Sequence, residues 1–284
     1  MTAWAEVIGD PITQSKSPAI HGFWIEQLGL DARYEARLVH ADGLADYLDA
    51  RRGDADWCGC NVTMPHKQAV LDFLDEVDPV AARIGAVNTI VRRTNGTLVG
   101  TNTDMSGFLE PVMGELASRH LFRMARVLGT GGAARAIVAG LAEHGFTIVL
   151  AGRDPEKARG ILDTLAPTGE HYAVQLDHFA GPTDFAFDDR SQCLDLVVNA
   201  SPLGMRGQPA LAFDWSHAPP GSIAYDIVTD PVATPFLDGA RARGLATIDG
   251  LAMLVGQAAG AFELFFGMKP PRDRDAELRD MLAR

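Results

Sequence analysis

Cysteine and long apolar runs are both scarce in this chain of 284 residues. Its three cysteines include no Cys-x-x-Cys pair, so neither a disulfide framework nor a structural zinc site is expected. No apolar run approaches the ~18 residues that a membrane-spanning helix requires, and the first residues lack the charged leader of a signal peptide. These absences predict a cytoplasmic protein with no metal and no membrane partner.

Positive charge is scarce as well. The chain has 25 Lys and Arg against 37 Asp and Glu, a formal net charge of −12. Without a basic stripe, a nucleic-acid partner is not expected. A small anionic ligand stays possible, because local positive charge and backbone dipoles can hold it. The length is sufficient for two domains, each with its own core.

Segments typical of strands and helices alternate along the first hundred residues. The predicted strands are Ala5–Gly9, Tyr34–Val39 and Cys58–Thr63, followed by a hairpin of Ala86–Val91 and Thr97–Gly100 about Asn95-Gly96. The predicted helices are Pro18–Leu28, Leu44–Arg51 and Lys67–Leu74.

The alternation becomes regular after a predicted helix at Met105–Arg119. Strands and helices then follow in turn at Arg123–Leu128, Ala133–His144, Thr147–Ala151, Pro155–Leu165, Leu194–Asn199 and Ser222–Asp226. The last predicted elements are a strand at Ala246–Ile248 and a helix at Met253–Phe266, while His178–Gln192 receives no element. This order predicts a parallel sheet with helices on both faces.

A glycine-rich turn, V-L-G-T-G-G-A-A-R, occupies residues 127–135. A strand, a turn and a helix in this order are typical of a site for a dinucleotide pyrophosphate. Gly129 allows the tight turn, Gly131 lets the backbone approach the phosphates, and Ala134 lets the helix pack close to the strand. The helix start offers unpaired N–H groups to the anion. The next predicted strand ends at Gly152-Arg153-Asp154, where the cofactor ribose would lie.

Two polar segments follow the first and third predicted strands. The hydroxyls of Ser15 and Ser17 could hold a carboxylate, or Ser17 could cap the following helix. The segment Asn61–Lys67 lies at a strand end, where open α/β sheets bind ligands. Lys67 is either a solvated lysine or a proton donor, and we interpret His66 as a surface histidine.

Two further segments, 85–89 and 100–104, place Asn88 and Asp104 near strand edges. The alternative is turn chemistry, since Asn and Asp readily bond to their own backbone, and we prefer that interpretation for Asn102. A pairing of Lys67 with Asp104 would suit proton transfer at a hydroxyl, with each group holding the charge state of the other.

Seven motifs in order and spacing resemble those of the shikimate dehydrogenase family: S-K-S-P-A-I-H, N-V-T-M-P-H-K, G-A-V-N-T, G-T-N-T-D-M-S-G, G-T-G-G-A-A-R-A, N-A-S-P-L-G-M and D-G-L-A-M-L-V-G-Q. The resemblance extends from about Gly9 to Gly267. It implies reversible reduction of 3-dehydroshikimate to shikimate with a nicotinamide cofactor and without a metal. It also implies that Ser15 and Ser17 bind the substrate carboxylate.

The resemblance assigns the remaining roles residue by residue. Thr63, Asn88 and Gln257 would hold ring hydroxyls. Lys67 and Asp104 would form the acid–base pair, with Lys67 passing the proton as hydride moves to or from the nicotinamide. The candidate cofactor-binding residues are Gly129, Thr130, Gly131, Gly132, Ala133, Arg153, Asp154 and Gly250.

Two departures from the family pattern affect specificity. Thr229, a further candidate for substrate binding, stands where the family usually has a tyrosine, which leaves quinate or another shikimate-like acid open as the substrate. Arg153 favours the 2′-phosphate of NADP, whereas Asp154 would repel it and favours NAD. Lys157 nearby offsets that repulsion, so we expect NADP(H), with NAD(H) possible.

These observations predict an α/β protein of two domains. Residues 1–105 would form an N-terminal α/β substrate-binding domain completed by the C-terminal helices at 250–284, and residues 106–249 a Rossmann-like dinucleotide-binding domain, with the active crevice between them. We expect a monomer or homodimer that acts on a small molecule. The rival class is a ligand sensor without turnover, against which the presence of both Lys67 and Asp104 argues.

Overall fold

The computed structural model of the protein describes residues 2–184, 186 and 192–283. The chain divides into two compact units, one of residues 1–107 with 255–284 and one of residues 108–254. The strands in the described residues are β1 Ala3–Gly9, β2 Ala32–Leu38, β3 Trp57–Val62, β4 Glu76–Val77, β5 Thr89–Arg92, β6 Leu98–Thr101, β7 Phe122–Leu128, β8 Thr147–Gly152, β9 Tyr172–Gln175, β10 Cys193–Asn199, β11 Ile223–Asp226 and β12 Ala246–Ile248.

The α-helices of the same residues are α1 Ser17–Leu28, α2 Leu44–Arg52, α3 Pro79–Ile84, α4 Asp104–Leu109, α5 Met113–Ala117, α6 Gly132–Glu143, α7 Pro155–Leu165, α8 Pro235–Ala242, α9 Gly250–Phe266 and α10 Asp275–Leu282. Short 3-10 helices lie at Ala41–Gly43, Ala69–Phe73, Glu110–Val112, Leu176–Phe179 and Trp215–His217.

The first unit contains a mixed sheet in the order β2-β1-β3-β5-β6-β4. Strand β1 pairs in parallel with β2 and β3, and the β5–β6 hairpin continues the sheet in antiparallel pairing from β3. Apolar side chains of these strands and of α2 form one core, in which Trp57, Leu44 and Ile90 are almost fully buried. The sheet therefore brings the ends of β1, β3 and β5, and the segments beside them, close together.

The second unit contains a parallel sheet in the order β12-β11-β10-β7-β8-β9, with parallel pairing throughout. Numbered from β7 along the chain, this order reversed is 3-2-1-4-5-6, the strand order of the dinucleotide-binding fold. The predicted parallel sheet and α/β fold class are confirmed. The hydrophobic core of the second unit includes Leu128, Val197 and Phe236.

Two predicted helices differ in the structure. The segment predicted as a helix at Met105–Arg119 is divided into α4, a 3-10 turn and α5, because Pro111 lacks an N–H group and disrupts a continuous helix. The segment predicted as a helix at Lys67–Leu74 is a turn followed by a 3-10 helix. The Lys67 carbonyl accepts a hydrogen bond from the N–H of Val87 at 2.7 Å. This carbonyl therefore bonds to a distant segment of the chain and not to the next turn of a helix.

Several elements were missed by the sequence analysis: β4, β9, α3, α8 and α10. Two of these helices carry a recognisable start. Asp78 accepts the N–H of Ala81 before α3, and Thr234 accepts the N–H of Leu237 before α8, in both cases with Pro in the first turn. Within His178–Gln192, where no element was predicted, residues 185 and 187–191 lie outside the described residues.

Among the described residues, α9 is the longest helix, with 17 residues. No helix in that part of the chain combines the length and the apolar character needed to cross a membrane. The same residues contain no group of three or more His, Cys, Asp or Glu side chains arranged to hold a metal ion.

Candidate active site

Lys67 and Asp104 form an ion pair in the first unit. The Lys67 Nζ lies 2.5 Å from Asp104 Oδ2, with the lysine side chain 18% exposed and the aspartate side chain 5% exposed. Asp104 is the first residue of α4, and its N–H donates to Asn102 Oδ1 at 3.0 Å. The turn interpretation of Asn102 is therefore confirmed. The pair presents a partly accessible ammonium group held by a buried carboxylate.

Asn88 fixes the second carboxylate oxygen. Its Nδ2 lies 2.9 Å from Asp104 Oδ1, 2.9 Å from Thr103 Oγ1 and 3.3 Å from Gln257 Oε1. Its Oδ1 accepts the N–H of Thr103 at 2.8 Å. Asn88 is 2% exposed and Gln257 is 8% exposed. Four predicted site residues, Lys67, Asn88, Asp104 and Gln257, are thus joined in one contact network.

The sheet register explains this convergence. Asn88 immediately precedes β5, and its N–H donates to the carbonyl of Thr101 on β6, three residues before Asp104. Gln257 reaches the network from α9 because α4 and α9 pack closely: a Cβ on Gly107 would lie 2.5 Å from the Gln257 nitrogen. A glycine at this position lets the amide side chain approach Asn88.

Ser15, Ser17 and Thr63 lie at the neighbouring ends of β1 and β3, which pair in parallel. Ser17 is the first residue of α1 and is 6% exposed, while Lys16 occupies the N-cap position. The interpretation of Ser17 as the helix cap is therefore wrong. Thr63 lies against the last residue of β1, since a Cβ on Gly9 would lie 2.4 Å from Thr63 Cγ2. The three residues therefore follow, along the chain, the carboxyl ends of two adjacent parallel strands, β1 and β3.

Two residues near the ion pair were misjudged or missed. His66 is 1% exposed, and its Nε2 lies 2.7 Å from the carbonyl oxygen of Val39, so its interpretation as a surface histidine is wrong. Asn61 is 4% exposed and its Nδ2 donates to Thr89 Oγ1 at 3.0 Å. For Asn61, the signal in the sequence was a polar residue inside an otherwise apolar strand.

The glycine-rich turn joins β7 to α6 in the second unit. Gly129 has φ of 127°, and a Cβ there would lie 2.5 Å from the Ala200 carbonyl oxygen. Gly131 occupies the N-cap position of α6, and a Cβ there would meet no heavy atom of the described residues within 4 Å. Ala134 is fully buried. The turn thus leaves room beside the backbone at a helix N-terminus, which fits a pyrophosphate.

Arg153 and Asp154 follow β8, and their side chains have different surroundings. Asp154 caps α7, with Oδ1 accepting the N–H groups of Glu156 at 3.0 Å and Lys157 at 3.2 Å. Arg153 is exposed. It lines a cavity of about 380 Å³ with Gln175, Leu176, Asp177, Ala180, Leu203, Pro209, Ala210, Leu211 and Ala212. This arrangement leaves the guanidinium group available to an anion and commits one oxygen of Asp154 to the helix.

The remaining candidates also lie in the second unit. Gly250 begins α9, and a Cβ there would lie 2.3 Å from the Val228 carbonyl oxygen, so the chain itself requires a small residue. Thr229 is half-buried in the segment after β11. That segment is held by Asp226, which accepts from Asn199 at 3.0 Å and Thr234 at 2.7 Å. Burial raises the pKa of the Asp226 carboxyl, although these hydrogen bonds act to lower it.

Comparison with known proteins identifies the family. Residues 7–90 match the shikimate dehydrogenase substrate binding domain, and residues 250–277 match the shikimate 5'-dehydrogenase C-terminal domain. The shikimate dehydrogenase (NADP(+)) of Sphingopyxis alaskensis is 49% identical over 98% of this chain and 96% of its own.

Solved structures agree with that similarity. The shikimate 5-dehydrogenase of Thermus thermophilus, in complex with NADP(H) and shikimate, is 33% identical with a TM-score of 0.79, covering 99% of each chain. The quinate dehydrogenase of Corynebacterium glutamicum, in complex with NAD, is 32% identical with a TM-score of 0.80, again covering 99% of each chain. The chain therefore belongs to the shikimate dehydrogenase family, whose members are NAD(P)-dependent oxidoreductases acting on a CH–OH group.

Proposed function

We propose that this protein catalyses the reversible, NADP(H)-dependent reduction of 3-dehydroshikimate to shikimate, with Lys67 and Asp104 as its acid–base pair. The observation that carries the proposal is the 2.5 Å contact between Lys67 Nζ and Asp104 Oδ2. A lysine ammonium group beside a buried carboxylate, at the end of a sheet strand, is suited to giving a proton to a carbonyl oxygen.

The proton step divides between the two residues. In reduction, the carbonyl carbon gains hydride, and the Lys67 ammonium gives its proton to the oxygen, so that C=O becomes CH–OH. In oxidation, the Lys67 amine takes the hydroxyl proton. Asp104 stabilises the protonated lysine in both directions, and Asn88 holds the carboxylate by a 2.9 Å bond to Oδ1. NADP(H), when bound, supplies or accepts the hydride.

Substrate binding is proposed for the polar side chains around this pair. Ser15, in the loop after β1, and Ser17, at the start of α1, would bind the carboxylate. Asn88 and Gln257, next to Asp104, would bind ring hydroxyls together with Thr63. Thr229 is a further candidate. Its short side chain loses the reach of the tyrosine usual in the family, and one missing hydrogen bond to a charged group is worth ~1.5–3 kcal/mol.

Cofactor binding is proposed for the turn between β7 and α6 and for the end of β8. Residues 129–133 would hold the pyrophosphate through backbone N–H groups, and Arg153 would pair with the 2′-phosphate. Gly250 and Asp154 complete the proposed set. We further propose that residues 1–105 with 250–284 form the substrate-binding domain and residues 106–249 the dinucleotide-binding domain.

A second candidate is an NAD-preferring quinate/shikimate dehydrogenase. Asp154 favours it, because a carboxylate beside the ribose can accept a free 2′-hydroxyl. The capping bonds from Glu156 and Lys157 go to Oδ1, so Oδ2 could still serve a ribose. The loss of the usual tyrosine at Thr229 also suits an altered substrate.

Formation of reduced nicotinamide by the purified protein, with shikimate and quinate each crossed with NADP⁺ and NAD⁺, tests these candidates. The proposal predicts the highest kcat/KM for shikimate with NADP⁺. A preference for quinate or NAD⁺ supports the second candidate. The absence of turnover with every pair contradicts both and favours the sensor class.

A further inference from the structure

Tyr34, on β2, places its hydroxyl beside the proposed substrate site. Its side chain is buried, and the hydroxyl donates to Asn61 Oδ1 at 2.6 Å. The Ser17 side chain also reaches this hydroxyl by a hydrogen bond. The phenol thus contacts a proposed carboxylate-binding residue on one side and a buried amide on the other.

From Asn61 the hydrogen bonds continue to the ion pair. Asn61 Nδ2 donates to Thr89 Oγ1 at 3.0 Å and to the Asn88 carbonyl at 3.3 Å. Thr89 Oγ1 donates to Asn88 Oδ1 at 2.9 Å, and Asn88 Nδ2 donates to Asp104 Oδ1 at 2.9 Å. An unbroken series of side-chain contacts therefore links Tyr34 with the carboxylate that holds Lys67.

The ring of Tyr34 is held independently of its hydroxyl. It stacks on His21 with a centroid distance of 3.9 Å and an interplanar angle of 2°, and it packs against Phe265. Burial raises the pKa of the Tyr34 phenol well above its usual value, with Cys60 and Glu6 adding to the effect. The phenol therefore stays protonated and remains a hydrogen-bond donor to Asn61.

We propose that Tyr34 is a positioning residue whose hydroxyl sets the orientation of Ser17 and, through Asn61 and Thr89, of Asn88 for substrate binding. The inference rests on the proposed function, because it takes shikimate as the ligand of this site. Tyr34 acts only through these neighbours. Its loss should weaken the binding of the hydroxy acid more than it changes the reaction of NADP⁺.

The test is Tyr34→Phe, which removes the hydroxyl and keeps the stacked ring. We expect kcat/KM for shikimate to fall about three- to tenfold, the effect of one neutral hydrogen bond, mainly through KM. The KM for NADP⁺ should stay within about twofold. The matched control is Tyr47→Phe in the same unit, whose hydroxyl donates to Glu6 Oε1 at 2.7 Å, a residue outside the series of hydrogen bonds from Tyr34 to Asp104.

Shikimate binding by calorimetry and thermal unfolding of both variants complete the experiment. A weaker shikimate affinity in Tyr34→Phe alone, at similar thermal stability of the two variants, supports the inference. Equal KM values and equal dissociation constants for shikimate in the two variants overturn the inference and leave Tyr34 with a structural role. If wild-type protein neither binds nor oxidises shikimate, the proposed function fails, and the inference fails with it. An active wild type with an unchanged Tyr34→Phe variant refutes the inference alone.

Discussion

The two proposed sites differ in the kind of group that each would offer to a ligand. In the first unit these groups would be side chains, and Asp104 contacts both Lys67 and Asn88 directly. In the second unit they would be chiefly backbone groups, at a turn where Gly129 and Gly131 carry no side chain just before α6. Substitutions should therefore change chemistry in the first unit and packing or cofactor affinity in the second.

Asp104→Asn is the sharpest test of the side-chain half of this comparison. The amide keeps the size of the carboxylate but loses the charge that stabilises the Lys67 ammonium. We expect kcat for shikimate oxidation to fall by about 10²–10³-fold, with the KM for NADP⁺ within about threefold. Steady-state kinetics at saturating concentrations of both reactants measures this. An unchanged kcat would remove Asp104 from the proton step.

Gly129→Ala tests the backbone half, with Gly131→Ala as its matched control. At Gly129 a Cβ meets the Ala200 carbonyl oxygen at 2.5 Å and the φ is 127°, so we expect a loss of about 2–4 kcal/mol in the free energy of unfolding.

At Gly131, with φ of −83° and open space around the Cβ position, stability should change by less than about 1 kcal/mol. The KM for NADP⁺ should nevertheless rise, because the added methyl group lies where phosphate would approach. Urea unfolding and steady-state kinetics separate the two effects. Equal stability losses in both variants would contradict the structural distinction between these glycines.

Arg153→Ala tests whether the Arg153 side chain adds a preference for NADP⁺ over NAD⁺ to a site formed chiefly by backbone groups. Loss of a charge-assisted bond to the 2′-phosphate should raise the KM for NADP⁺ about tenfold or more and leave the KM for NAD⁺ nearly unchanged. Arg159→Ala is the control, because Arg159 lies on the following helix α7 and donates to the His171 carbonyl. Equal changes for the two cofactors would show that Arg153 does not recognise the phosphate.

His21 provides a smaller test, through the pH dependence of stability. It is fully buried, neither ring nitrogen has a hydrogen-bond partner among the described residues, and burial lowers its pKa from 6.5 to about 3. The unfolded chain therefore binds a proton below pH 6.5 that the folded chain excludes down to about pH 3. The contribution to stability is complete above pH 6.5 and is lost as the pH falls through this range.

By pH 5.5 the loss should reach about 1.4 kcal/mol. Urea unfolding at pH 7.5 and 5.5 should show this extra loss in the wild type relative to His21→Phe. Parallel pH dependences of the two proteins would contradict a neutral buried imidazole.

Local patterns predicted one part of the molecule well. The turn at residues 127–135, the hairpin about Asn95-Gly96 and the parallel alternation of the second unit depend on nearby residues, and the structure contains all three elements. Motif resemblance indicated the family before any geometry was known. The contact of Lys67 with Asp104, 37 positions apart, was a hypothesis that spacing alone could not establish.

What the sequence did not reveal depends on contacts between distant segments. His66 is buried and its Nε2 contacts the carbonyl of Val39, 27 positions away, and the Lys67 carbonyl accepts the N–H of Val87. Tyr34 looks like an ordinary strand residue, and its contact with Asn61 exists only because β2 and β3 belong to one sheet. Their side chains become neighbours through tertiary structure, which periodicity does not encode.

Lys67→Ala, measured for turnover with NADP⁺ and for shikimate affinity by calorimetry, tests the central claim most directly. The account predicts that kcat falls by about 10²–10⁴-fold, while the dissociation constant of shikimate changes by no more than about tenfold. Turnover at the wild-type rate with shikimate bound normally would contradict the assignment of Lys67 as the proton donor and acceptor.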